Sequence, residues 1–242
     1  MTTRDEFLNS VRNALKKNGK GQLSLPDRSL PPPLENVMPA IPAEELLDRF
    51  EDELKALDCN AYRASSLSLL EVILRPILDR AQTQSVVLSR NPLLSQLQIE
   101  AMLKRWGKKV AAWPGNTPGE AESDTFRGEC FAAQVGITGA DFALAETGSL
   151  VLTSFTEGSQ LASLAPATHV VLYRRNQLRD SLDAVLQNLP VSRDPARPSP
   201  ARSVVFVTGT SRTADIEQIL VRGVHGPREV HAILIEEACL AG

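Results

Sequence analysis

Short apolar runs alternate with amphipathic segments along the middle and the C-terminal part of the chain. The runs at residues 85–89, 169–173 and 230–235 have the length and the β-branched content of buried strands. The segments at residues 93–106 and 177–189 carry apolar residues at helical spacing. This alternation predicts an α/β fold with a mainly parallel sheet that is flanked by helices on both faces.

Residues 136–154 interrupt this alternation. They predict a strand, a glycine turn that carries Asp141, and an antiparallel hairpin over residues 142–154 with Glu146 at its corner. A carboxylate among Ala, Leu and Val side chains is costly to desolvate. Glu146 therefore either accepts hydrogen bonds from the backbone of its turn or faces a cleft.

Residues 203–223 combine an apolar run with a polar turn. The run at 203–207 predicts a buried strand, and Gly209 allows a sharp turn after it. Apolar residues at helical spacing then predict a helix that ends at Gly223.

The turn between this strand and this helix is a candidate anion site. Backbone N–H groups at a helix start, hydroxyl groups and a guanidinium together suit a carboxylate or a phosphate. The residues that offer these groups are Gly209, Thr210, Ser211, Arg212 and Thr213. The alternative is that Thr213 only caps the helix while Arg212 pairs with a nearby acid. Both interpretations stay open.

The first 42 residues differ in composition from the rest. Thr3 and Glu6 form a capping-box pattern, and prolines at positions 26, 31, 32, 33, 39 and 42 follow the helix that it begins. Such prolines exclude helix and central strand. We predict a helix and a proline-rich tether over residues 1–42 and one α/β domain over residues 43–242.

Charge and cysteine content exclude several classes of protein. With 26 Lys and Arg against 29 Asp and Glu, the chain has no excess of basic residues of the kind that binds nucleic acid. Its 3 cysteines are widely separated, which argues against a disulfide framework, a structural zinc or an iron–sulfur cluster. No secretory signal and no run of membrane-spanning length is present. We therefore predict a cytoplasmic protein that binds no metal.

Sequence signatures for nucleotide binding, dinucleotide binding and serine hydrolysis are absent. We therefore predict no cofactor in this chain. His225, which precedes Gly226 and Pro227, is a candidate proton-transfer group because an imidazole titrates near neutral pH. The alternative is a turn histidine that bonds a backbone carbonyl.

Several segments together resemble the LUD-domain family, in its branch of lactate-utilisation protein C. They are residues 136–143, 146–148, 163–166, 209–217 and 223–227. Their order and spacing also match the family.

The resemblance implies a fold similar to that of ribose-5-phosphate isomerase, glucosamine-6-phosphate deaminase and the coenzyme A transferases. In the coenzyme A transferases, a similar turn carries a nucleophilic glutamate. The resemblance therefore makes Glu146 a candidate catalytic residue, in addition to His225. The candidate ligand-binding residues outside the turn at 209–213 are Thr138, Gly139, Asp141 and Gly148.

The resemblance also implies participation in the oxidation of L-lactate to pyruvate. The iron–sulfur clusters would belong to partner proteins, and this chain would be a non-redox component that binds a small carboxylate or phosphate or supports the assembly. Two alternatives stay open. One is a free-standing enzyme that acts on an acyl-thioester or a sugar phosphate through Glu146, and the other is a regulatory binding protein.

Overall fold

The computed structural model describes residues 4–18, 40–115, 119–190, 201–214, 220–223 and 226–240. Contacts divide the chain into two units, Met1–Pro39 and Ala40–Gly242. The first contains the predicted N-terminal helix, α1, over Arg4–Asn18. The predicted boundary between a tether and an α/β domain after residue 42 stays a prediction.

The second unit alternates strands with helices. Its strands are β1 Asn60–Ala64, β2 Ser85–Leu88, β3 Lys109–Ala112, β4 Val135–Gly139, β5 Phe142–Leu144, β6 Ser149–Thr153, β7 Thr168–Arg174, β8 Leu178–Arg179, β9 Val204–Val207, β10 Arg212–Ala214, β11 Leu220–Arg222 and β12 Glu229–Ile235. Its α-helices are α2 Leu46–Ala56, α3 Leu67–Arg80, α4 Pro92–Gln96, α5 Ile99–Arg105, α6 Glu120–Ala132, α7 Ser154–Glu157, α8 Leu161–Leu164 and α9 Leu182–Asn188. Short 3₁₀ helices cover Arg175–Gln177 and Glu237–Leu240.

Six parallel strands form the main sheet, in the order β1–β12–β7–β4–β2–β3. This confirms the predicted α/β fold with its mainly parallel sheet. The central strands are continuous apolar runs because helices or a second sheet cover both of their faces. β1 lies at one edge of this sheet, and its Asn60 and Arg63 are exposed, so it lacks the apolar pattern that identified the other strands.

A smaller sheet has the order β8–β5–β6–β9. Its β5 and β6 form the predicted antiparallel hairpin. The strand predicted at residues 203–207 forms as β9, but its predicted burial was wrong, because β9 lies at an edge of this second sheet and leaves Phe206 39% exposed. A single helix was predicted at residues 177–189. The structure has the strand β8 at the start of this segment, and the α-helix α9 covers only Leu182–Asn188.

The helix predicted after Gly209 was also wrong at its start. β10 pairs antiparallel with β11, with Thr213 opposite Val221 and Ala214 opposite Leu220. β-branched residues favour such pairing. The residues between these strands, 215–219, lie outside the described ranges. No helix begins at residues 212–214, so these residues do not provide the helix dipole on which the predicted anion site depended.

The main sheet has an apolar layer on each face. On one face lie α3, α4 and α5, with side chains such as Leu74, Leu94 and Leu103 against Ile137 and Val170. On the other face lie α2 and the inner side of the small sheet, together with α6 and α8. The helix predicted at 93–106 is two helices, because Gln98 adopts a left-handed conformation with φ 52°. None of the helices in the described ranges combines the length and the apolar character that crossing a bilayer requires.

Candidate functional site

The connections of the main sheet diverge between β2 and β4. β2 leads through α4 and α5 to β3 on one side, whereas β4 leads to β7 on the other side. In open α/β sheets, ligands bind outside the carboxyl ends of the strands at such a point. We therefore take the carboxyl ends of β2 and β4 as the candidate functional site.

A buried carboxyl group, that of Glu157, occupies this position. Glu157 ends α7 and is 0% exposed. Its Oε2 accepts a hydrogen bond from the backbone N–H of Gly139 at 3.2 Å, and its Oε1 accepts one from the side-chain amide of Asn91. The backbone N–H of Arg90 donates to the carbonyl of Glu157 at 3.1 Å. Glu157 therefore ties α7 to the ends of both strands.

The pKa of Glu157 is raised to about 7, mainly by burial and to a smaller extent by the nearby Asp141. Hydrogen bonds from Ser89, Asn91 and the backbone of Gly139 act in the opposite direction, because they favour the charged form. Near neutral pH this carboxyl group consequently exchanges between its neutral and its charged form.

Asp141 belongs to the same polar cluster. Its Oδ2 accepts hydrogen bonds from the backbone N–H of Thr153 at 2.7 Å and from the hydroxyl of Thr156 at 2.8 Å. The Thr156 hydroxyl also lies 3.4 Å from Oε1 of Glu157, so it bridges the two acids. Burial raises the pKa of Asp141.

Two glycines allow close packing at this edge of the sheet. A Cβ at Gly139 would stand 2.2 Å from the side-chain amide of Asn91, and a Cβ at Gly158 would stand 2.5 Å from the indole of Trp113. Gly139 was predicted to bind a ligand. The structure shows its backbone N–H bonded to Glu157 and its Cα against Asn91.

A cavity of about 580 Å³ opens beside this cluster. It lies outside the carboxyl ends of β2 and β3, which are covered at this place by α4 and α5. The polar and aromatic residues that line it are Ser89, Arg90, Ser95, Gln98, Glu100, Lys104 and Trp113. One N–H of the Arg90 guanidinium donates to the carbonyl of Phe155 at 2.5 Å.

The predicted ligand-binding residue Thr138 lies inside the protein. It is 0% exposed, and its hydroxyl is 2.9 Å from Nε2 of His169, which is also fully buried. Burial lowers the pKa of His169 to about 3, so this imidazole is neutral. Its Nδ1 has no hydrogen-bond partner among the described residues. Thr138 thus reaches no cleft in the described structure.

The candidate catalytic residue Glu146 lies at the hairpin turn, as predicted, at the opposite end of the hairpin from Asp141. It is half-buried, and its Oε2 accepts a hydrogen bond from the backbone N–H of Leu182, at the start of α9, at 3.2 Å. Gly148 follows with φ 64°, and a Cβ there would stand 2.7 Å from the backbone nitrogen of Leu54 in α2. The described contacts of Gly148 are therefore packing contacts.

The end of β9 lies beside this turn. The Ser149 hydroxyl is 2.7 Å from the Thr147 hydroxyl and 2.6 Å from the Thr208 hydroxyl. Thr210 is buried, and its Oγ1 has no hydrogen-bond partner among the described residues. The backbone N–H of Ser211 donates to the carbonyl of Pro227 at 2.9 Å.

The predicted site residues therefore fall into two places. Gly139 and Asp141 lie at the carboxyl edge of the main sheet, whereas Glu146, Gly148 and the turn at 209–211 lie around the far end of the hairpin. The side chains of Arg212 and Thr213, and the whole of His225, lie outside the described residues. Their predicted roles, like that of Glu146, stay predictions.

Sequence reasoning missed Glu157, Asn91 and Arg90. A signal was available, because Ser89, Arg90 and Asn91 directly follow the apolar run of β2, and Glu157 follows β6 after one helical turn. Polar residues just beyond strand ends are where parallel sheets place their sites.

Comparison with known proteins agrees with this architecture. The profile of the LUD domain matches residues 47–235. The chain belongs to the LUD-domain family. The resemblance in its sequence is thereby confirmed, and most of the described second unit lies within the matched region.

Curated relatives extend the similarity beyond the domain. A protein named lactate utilization protein C from Halalkalibacterium halodurans is 27% identical, over 97% of this chain and 98% of its own length. A protein of the same name from Bacillus subtilis is 25% identical over 96% of each chain. A crystal structure of a DUF162 family protein from Deinococcus radiodurans has a TM-score of 0.56 at 21% identity, covering 81% of this chain and 99% of that chain. It shows that the fold is shared.

Proposed function

We propose that this protein acts in lactate utilisation, as a component that binds a small carboxylate and carries no redox cofactor of its own. The observation that carries the proposal is the similarity to proteins named lactate utilization protein C, which spans nearly the full length of both chains. A match of this extent argues for a shared role of the whole chain and not only for a shared domain.

The architecture supports the binding part of this proposal. L-Lactate and pyruvate are small organic anions, and a cavity of about 580 Å³ lies beside the candidate site, with Arg90 and an ion pair of Lys104 and Glu100 in its lining. Ligand pockets in proteins have volumes of roughly 300–1,000 Å³.

The cysteines support placing the electron carriers on partner proteins that bind iron–sulfur clusters. Cys59, Cys130 and Cys239 are buried and form no disulfide, and burial raises the pKa of Cys130 to about 12. A cluster ligand must be a thiolate. Three cysteines outside any disulfide also favour a reducing compartment, so we propose that the protein is cytoplasmic.

The test is removal of this chain from its host, followed by growth on L-lactate and lactate-dependent dye reduction in extracts. We expect both to fall and to return when the chain is expressed again, while growth on pyruvate stays normal. Affinity purification of the tagged chain should recover proteins that contain iron and sulfide. Lactate oxidation at the full rate without this chain would contradict the proposal.

A further inference from the structure

We propose that β9 pairs antiparallel with β9 of a second copy of this chain, about a twofold axis. β9 is an outer strand of the small sheet, β8–β5–β6–β9. The pairing would join the four-stranded small sheets of two copies into one continuous sheet. The inference concerns the assembly of the chain and is independent of the proposed function.

The backbone of β9 is open on its outer side. The backbone N–H of Ser154 donates to the carbonyl of Ser203 at 3.0 Å, so Ser203 directs its backbone groups toward the β6 side. Because these groups alternate along a strand, Val205 and Val207 also face β6, whereas Val204 and Phe206 face away from it. In the described ranges, the N–H and C=O groups of Val204 and Phe206 have no hydrogen-bond partner. Two donors and two acceptors are therefore available at this edge.

The other outer strands of the main sheet and the small sheet are protected against such pairing. β1 and β3 carry the exposed Arg63 and Lys109, which form ion pairs with Glu51 and Glu129. β8 contains only 2 residues. Charged side chains, proline and short length are the usual means by which proteins keep strand edges from pairing. β9, with the sequence Val-Val-Phe-Val, has 4 residues and neither a charge nor a proline.

The open edge of β9 is complementary to itself. A twofold axis at Val205 sets Val204 of each copy opposite Phe206 of the other. Each of these two pairs can exchange two hydrogen bonds, which uses every open backbone group of both strands. This match within one short strand favours a second copy as the occupant, and twofold dimers are the commonest assemblies of identical chains.

Side chains and charges also fit this register. Phe206 is 39% exposed and stands opposite Val151 of β6. Across the twofold axis its ring would lie against Val204 of the second copy, and pairs of an aromatic and a β-branched residue stabilise neighbouring strands. The same register sets Arg202 opposite Thr208, so that no like charges meet.

A cysteine at Val205 tests the register directly. The two copies of Val205 would form a non-hydrogen-bonded pair with Cα atoms about 4.5 Å apart, which is within the range of a disulfide. Ser203→Cys is the matched control, because in this register Ser203 is separated from its own counterpart by roughly 13 Å along the strands. The natural cysteines Cys59, Cys130 and Cys239 are buried. Under mild oxidation, we expect a disulfide-linked dimer of the Val205→Cys variant and none of the Ser203→Cys variant on non-reducing gels.

Sedimentation velocity of the full chain over a series of concentrations tests the dimer itself. Phe206→Lys places a charge on the open edge in both copies, so it should raise the dissociation constant of the dimer at least about tenfold. Phe131→Lys is the matched control, because Phe131 is 70% exposed and belongs to α6. It should leave the dissociation constant unchanged. Thermal unfolding first establishes that each variant is folded.

Three results would overturn the proposal. The first is a parent that stays monomeric at every concentration while Val205→Cys forms no disulfide-linked dimer. The second is the same dissociation constant for Phe206→Lys and Phe131→Lys, which would place the dimer interface elsewhere on the chain. The third is disulfide formation by Ser203→Cys as fast as by Val205→Cys, which would exclude the register.

Discussion

The carboxyl group of Glu157 accepts a hydrogen bond from the backbone N–H of Gly139 at 3.2 Å, and this contact joins the end of α7 to the end of β4. Glu157 also holds Asn91 at the end of β2. One buried acid therefore connects the two strands from which the chain continues in opposite directions across the sheet. The stability of this edge should therefore depend on the space at Gly139 and on the charge at Glu157.

Gly139→Ala should destabilise the protein. The added Cβ would stand 2.2 Å from the Asn91 amide, which cannot retreat without losing its bonds to Glu157 and to the backbone of Leu93. Overpacking of this kind costs about 1–3 kcal/mol. Urea unfolding of the parent and the variant measures the loss.

The matched control for this change is Gly128→Ala. Gly128 lies within α6, and a Cβ there would meet nothing within 4 Å. Alanine in an exposed helix is more stable than glycine by roughly 0.8–1 kcal/mol, so the control should gain stability. A Gly139→Ala variant as stable as the parent would show that the Asn91 side chain can move away from the added Cβ at no cost.

Glu157 should make the free energy of unfolding fall as the pH rises. Its pKa of about 7 in the folded protein lies above the ordinary value of 4.5. Between these values the folded protein binds more protons than the unfolded chain, so stability that is present below about pH 4.5 is lost as the pH rises through about 7. At about 1.36 kcal/mol per pKa unit, the total is roughly 3 kcal/mol.

Glu157→Gln removes this titration. We expect the parent to lose roughly 2–3 kcal/mol more than the variant between about pH 5 and about pH 8, as measured by urea unfolding at both values. Asp141, whose pKa is also raised, is present in both proteins. A difference between the two proteins that stays constant with pH would mean that Glu157 keeps one charge state throughout.

Gly148→Ala should be more destabilising than Gly107→Ala, although both positions have a left-handed backbone, with φ 64° and φ 73°. At Gly107 a Cβ meets nothing within 4 Å, so the substitution carries only the conformational cost of about 1–2 kcal/mol. At Gly148 the Cβ also meets the backbone of α2 at 2.7 Å.

We expect Gly148→Ala to cost at least about 1 kcal/mol more than Gly107→Ala, because an overpacked site costs about 1–3 kcal/mol beyond the backbone term. Thermal unfolding of the two variants side by side gives this difference. Equal losses would indicate that the hairpin turn is not seated on α2.

Glu146→Gln should leave the stability of the protein nearly unchanged. The amide oxygen of Gln can still accept the hydrogen bond from Leu182 at the start of α9, which Glu146→Ala would lose at a cost of about 0.5–2 kcal/mol. Thermal unfolding checks both variants.

The same pair of variants tests the predicted catalytic role of Glu146. A carboxylate nucleophile is destroyed by the amide. Loss of lactate oxidation in the stable Glu146→Gln variant would support catalysis, and normal oxidation would leave Glu146 as the acceptor for α9.

The central strands and the hairpin could be predicted from the sequence because burial and the regular geometry of a strand together determine where their apolar residues fall. β7 and β12 are buried on both faces and are apolar throughout most of their length. The sequence signal for the hairpin was a turn with Gly148 between two short apolar runs. β1 has an exposed Arg63 that pairs with Glu51 of α2, and such an edge strand gives no comparable signal.

The residues after Gly209 and the polar cluster could not be predicted for different reasons. Leu220 suits the inward face of a helix as well as a strand, and the strand pairing with Ala214 decides between them. Glu157 is buried because α7 folds back over the end of β4, where it meets Asn91 from 66 positions away in sequence. Contacts across such a separation leave no periodic trace along the chain.

The position of β12 between β1 and β7 has a consequence for biosynthesis. Asn60 pairs with His231 and Ala64 with Ile235, so β1 leaves the ribosome long before the strand that it must pair with. Until then one edge of β1 and one edge of β7 await β12, and such non-local pairing is slow and exposed to aggregation. Completion of the main sheet must therefore await the synthesis of residue 235, and a chain released before that point would retain both open edges.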